Sequence, residues 1–143
     1  MKTMIKTLAL CLVTLFTSMA SLTAWSEVAV IVNPSVAGDI SESDIKRIFL
    51  GKKKSFPGGG EVIPIDQKEG SSAKVSFVTT ALGKNEQQMK AYWAQRLFTG
   101  KGTPPKVVDT DAEVKKLVSE NPAVIGYIDA SAADGSVKVV KTF

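Results

Sequence analysis

The chain has 143 residues, 44% of them hydrophobic, with 18 basic and 14 acidic side chains, one cysteine and no histidine. A lone thiol and the lack of histidine exclude most zinc sites and the usual Ser–His and Cys–His nucleophile pairs. The modest positive balance is not accompanied by interleaved aromatic and basic residues, which argues against nucleic acid as a partner.

Lys2 and Lys6 form a basic start, residues 8–16 an apolar core, and Ser18, Ala20, Ala24 and Ser26 supply the small residues that follow. This is the pattern of a secretory signal peptide, residues 1–26; the apolar core is too short for a membrane span. The Ala24-Trp25-Ser26 pattern favours cleavage after Ser26, with Ala24 and Ala20 as alternatives, and Cys11 leaves with the signal. The remaining residues, 27–143, form one domain without a thiol or a disulfide. Their 16 basic and 14 acidic residues reduce the net charge to +2.

Residues 27–32, with Val28, Val30 and Val32 around Ala29 and Ile31, read as a strand buried on both faces. A helix over 41–50 follows. Ser41 is its N-cap, Ile40 and Ile45 staple its start, Ile45, Ile48 and Phe49 form its apolar face, and Gly51 stops it. Lys52, Lys53 and Lys54 read as a solvated run near the negative end of that helix. After a Pro/Gly loop at 57–60, Val62, Ile63 and Ile65 mark a second strand. A helix over 71–82 is expected to bury Val75, Val78 and Leu82. Asn85 and Gln88 give a capping box for a helix over 86–98, with Trp93 read as core. Residues 99–105 are a loop, and Val107-Val108 a short strand. Thr110 and Glu113 cap a helix over 111–120, residues 124–128 form a buried strand, and residues 137–140 form a closing strand as its hairpin partner. Strands alternating with helices imply an α/β sheet with helical cover.

The carboxylates are scattered, and no pair has a spacing that suits general acid/base work; Asp66 and Asp129, at strand ends, are the best placed for a site. No metal, cofactor or enzymatic activity is expected. The most informative stretch is 61–83, where a strand turns into a helix. Amides at a helix start lack intrahelical partners and carry partial positive charge, so Gly70, Ser71 and Ser72 read either as an oxyanion cradle or as an ordinary cap made by Ser71.

Four pieces carry a resemblance: Ile40-Ser41 with Asp44-Ile45 and Arg47-Ile48-Phe49-Leu50-Gly51-Lys52; residues 62–73; residues 98–105; and Ile125-Gly126-Tyr127-Ile128-Asp129. With these the chain resembles the periplasmic phosphate-binding proteins of ABC importers, in a short single-lobe form. The resemblance implies the α/β fold of a single lobe of a type II periplasmic-binding protein, with a mixed sheet covered by about four helices, located in the periplasm. It also implies a solute-binding role in phosphate transport, without enzymatic activity, holding phosphate or a similar oxyanion at Gly70, Ser71, Ser72, Lys68 and Gln67. The family motif, Arg-x-Asp/Glu-Gly-Ser-Gly-Thr, stands here as Gln67-Lys68-Glu69-Gly70-Ser71-Ser72-Ala73, so a glutamine replaces the bidentate arginine and Lys68 is the nearby point charge. The implied partners are an ABC permease, a membrane complex or a receptor protein, with homodimerisation as a way to rebuild a two-walled cleft. A second reading is a single-lobe interaction or sensory module that contacts a protein instead of phosphate.

Overall fold

The computed structural model describes residues 26–143, so the signal peptide expected at the start lies, apart from Ser26, outside the described residues. Five strands form one mixed sheet: β1 (Val28–Val32), β2 (Ile63–Gln67), β3 (Lys106–Val108), β4 (Val124–Asp129) and β5 (Lys138–Thr142), in the spatial order β3-β2-β4-β1-β5. β2 runs parallel to both β3 and β4, whereas β1 is antiparallel to β4 and β5. All five residues of β1 are buried, as its unbroken apolar run predicts. The closing strand is not the hairpin partner of β4. It pairs with β1, on the far side from β4, because the turn Ala130–Ala132 and residues 133–137 carry the chain past β1 before β5 begins.

The helices are α1 (Glu42–Phe49), α2 (Ser72–Thr80), α3 (Glu86–Phe98) and α4 (Asp111–Glu120). Their starts follow the sequence closely. Ser41 accepts the Asp44 N–H, Asn85 and Gln88 make the reciprocal capping box, and Thr110 accepts the Glu113 N–H. Glu113, however, reaches past Thr110 to the Asp109 N–H.

Alternation along the strands divides the core into two. On one face, Val28, Val30, Val32, Ile125 and Tyr127 pack under α1, α2 and α3. Here the Phe77 ring stacks on Tyr127 at 4.1 Å and meets Phe49 edge-on at 4.7 Å. On the other face, Ala29, Ile31, Ile65 and Ile128 pack under Val114 and Val118 of α4. The close approach of α4 uses Gly126, where a Cβ would lie 2.4 Å from Val114 Cγ1. Val78 and Leu82 are buried as expected, but Val75 is 38% exposed and Ala73, Ser76 and Phe77 are buried in its stead, since the wide Phe77 ring claims the sheet.

This topology sets one edge apart as a candidate site. The carboxyl ends of β2 and β3 lie side by side, and their chains leave toward opposite faces of the sheet, β2 into α2 and β3 into α4. Crevices outside the carboxyl ends of such strands are where open α/β sheets bind ligands.

Candidate functional site: a cleft at the start of α2

Gly70 turns the chain from β2 into α2 with φ +81°, a conformation that glycine adopts without strain. Ser71 then caps α2 by accepting the Lys74 N–H at 3.2 Å, and its own N–H goes to the Lys68 carbonyl. The cap reading is therefore met. Yet Ser72 and Ala73, the first two residues of α2, have amides with no protein acceptor among the described residues. The Gly70 N–H already holds an anionic oxygen, donating to Glu86 Oε1 at 2.9 Å.

Beside this corner lies a cleft of about 260 Å³, which Glu69 and Lys74 line from either side of the turn while Gly70, Ser71 and Ser72 do not line it. Its floor is apolar, with Phe49, Phe77, Val78, Leu82 and Met89, and its rim carries Trp93, Pro104, Pro105 and Val107. Trp93 is half-buried in this wall rather than sunk in the core, because Gly51 and Arg96 press against it: a Cβ at Gly51 would lie 2.9 Å from the Trp93 ring. Arg96 sits over the Tyr92 and Trp93 rings at 5.5 and 5.8 Å and donates to the Lys101 carbonyl, which ties the loop 99–105 to α3.

Five charged side chains line the cleft, and each carboxylate has an internal partner. Asp66 accepts from the Tyr127 hydroxyl and pairs with Lys74 at 2.9 Å. Burial, reinforced by the Asp66 charge, pushes the Tyr127 phenol far above its ordinary range, so it acts as a hydrogen-bond donor. Glu69 pairs with Lys90 at 2.9 Å, and this hydrogen bond lowers the carboxyl's pKa and raises that of the ammonium. Glu86 is the carboxylate on Gly70. Among the described residues, no group of three or more His, Cys, Asp or Glu side chains could hold a metal ion.

Of the site residues expected from the sequence, Gly70, Ser71 and Ser72 come together at the helix start. Lys68 is exposed beside the cleft lining, with its own N–H bound to the Val108 carbonyl. Gln67 is only 2% exposed, and its amide nitrogen donates to Asp111 Oδ1 at 2.7 Å and to the Tyr127 carbonyl at 2.9 Å, which commits it to the strand end and the start of α4. The cations that line the cleft are Lys74 and Lys90, which the motif reading missed. Lys74 follows Ser71 by three residues, a spacing that could have pointed to it. Asp129 is held by Ser131 and Ser26 and does not line the cleft.

The fold is that of the periplasmic binding proteins. Among solved structures the chain is similar to an ABC-type phosphate transport receptor from Vibrio cholerae, with 17% identity and a TM-score of 0.63 over 82% of this chain and 47% of that one. It is also similar to a protein from Clostridium perfringens described as a phosphate ABC transporter substrate-binding protein and solved with bound phosphate, with 24% identity and a TM-score of 0.64 over 81% and 45% of the two chains. PstS from Borrelia burgdorferi matches with 18% identity and a TM-score of 0.56, over 81% of this chain and 47% of that one. The chain therefore spans less than half the length of these three proteins, whose fold it shares over that part. No protein-family model matches the chain, and comparison with curated proteins returns no match.

Proposed function

We propose that residues 27–143 form a single periplasmic, non-enzymatic binding domain that takes phosphate or a similar oxyanion at the start of α2. The ligand would rest on the amides of Ser72 and Ala73 and the Ser72 hydroxyl, with Lys68 and Lys74 as nearby counter-charges. One observation carries this reading: the Gly70 amide at this corner donates to the Glu86 carboxylate, which supports the corner as a place for an anionic oxygen. The likeness to phosphate-transport receptors supports the same ligand class and an ABC permease as partner. Binding is weak in this reading, because the site is open to water and one of its amides is already occupied. Calorimetric titration of phosphate and sulfate tests it: saturable heat at millimolar ligand is expected, and its absence in both the wild type and Glu86→Gln would refute it.

A second reading, a module that contacts a protein, is favoured by the apolar cleft and by Leu97 and Phe98, which are 57% and 93% exposed at the end of α3.

A further inference from the structure

We infer that the cleft face is a self-complementary docking surface whose occupant is a second copy of this chain. Glu86, Met89, Lys90, Trp93 and Leu97 follow one another at helical spacing, so the exposed Leu97 extends the α3 stripe that walls the cleft. Across the cleft, Val107 is 52% exposed on β3, a strand at the edge of the sheet. Leu97 and Val107 stay exposed among the described residues, whereas Met89 is buried and Trp93 half-buried between them.

The charges select the occupant. A two-fold contact sets a patch against itself, so a patch of one sign repels its own copy. This rim instead carries both signs: Glu69 and Glu86 lie beside Lys90, and Glu69 and Lys90 are 57% and 68% exposed. Their pairing can be exchanged so that Lys90 of each copy meets Glu69 of the other. The pairing stands whether or not an oxyanion is held.

Light scattering and sedimentation of the purified protein over a dilution series test this. The wild type is expected to show twice the monomer mass at high concentration and to dissociate on dilution. Leu97→Asp combined with Val107→Asp is expected to be monomeric with an unchanged circular-dichroism spectrum. Lys90→Glu alone and Glu69→Lys alone are each expected to be monomeric, and mixing those two variants is expected to restore the dimer mass, because each then meets the opposite charge. A wild type that stays monomeric at every concentration, or dimers that persist in all three variants, overturns the inference.

Discussion

Replacing Glu86 with glutamine removes the negative charge at the start of α2 while keeping an oxygen that can accept the Gly70 N–H. An oxyanion seated on the Ser72 and Ala73 amides lies about two residues along the chain from Gly70, hence roughly 5 Å from the Glu86 carboxylate. Two like unit charges at that separation cost about 0.8 kcal/mol in water and about 3 kcal/mol at an effective dielectric of 20. Glu86 is half-buried at a corner open to water, so the cost lies nearer the watery value, and a largely dianionic phosphate roughly doubles it. The expected gain in Glu86→Gln is about 1–2 kcal/mol, or about five- to thirty-fold in Kd. Calorimetry at low ionic strength measures it, and added salt should shrink the gain, modestly at 0.1 M, where the Debye length is about 10 Å, and strongly near 1 M, where it falls to about 3 Å and below the charge separation. Sulfate should gain as well, because the effect is one of charge. Equal affinities in wild type and variant, with unchanged melting curves, would refute the idea that Glu86 occupies the anion corner.

Gly126→Ala should destabilise the protein by about 1–3 kcal/mol in a denaturant titration, since its Cβ would lie 2.4 Å from Val114 Cγ1, and Val114→Ala in the same chain should recover part of the loss. Gln67→Leu should cost about 1–3 kcal/mol of stability, by removing the side-chain donor to Asp111 Oδ1 and to the Tyr127 carbonyl, and should leave phosphate titration unchanged; a lost phosphate response in a folded variant would place Gln67 in the site. The raised pKa of Tyr127 implies loss of stability in alkali. The unfolded phenol ionises near pH 10 while the folded one keeps its proton, so the contribution is complete below about pH 10 and falls by about 1.4 kcal/mol per unit above it. Tyr127→Phe should flatten that alkaline slope, and an unchanged slope would count against the buried phenol as its cause.

The sequence revealed most where the determinants are local. Ser41, Asn85 with Gln88, and Thr110 cap the helices they were expected to cap, because a cap is decided within four residues. The buried strand at 28–32 was readable for a similar reason, its apolar run being continuous. Pairing was not readable. A hairpin between β4 and β5 is the simplest use of a turn near 133–135, yet β1, about a hundred residues earlier, takes β5 as its neighbour. Nor was the exposure of Val75: Val75 and Phe77 are both apolar, and Phe77 is the one that turns inward, where its ring stacks on Tyr127.

The site divides in the same way, and the part that was missed bears most on function. Gly70-Ser71-Ser72 was legible as a helix start, but no local pattern shows that Glu86, sixteen residues on, reaches back to the Gly70 amide. Nor does any local pattern show that Gln67 faces the start of α4 rather than the start of α2. Together these two side chains change the balance of the cleft. Where the related motif has arginine the strand end carries a neutral amide, and three lining carboxylates stand against two lysines, each carboxylate already bonded within the chain. An incoming dianion therefore meets no net positive field from the cleft lining to steer it and must rely on the Ser72 and Ala73 amides, on Lys68 beside the cleft and on Lys74, which Asp66 already pairs, whereas a second protein surface of mixed charge can exchange these pairs at little electrostatic cost. The Glu86→Gln titration and the mass measurements consequently separate the two uses of the face. A gain in phosphate affinity with a monomeric protein favours the anion corner, and dimers without such a gain favour the protein contact.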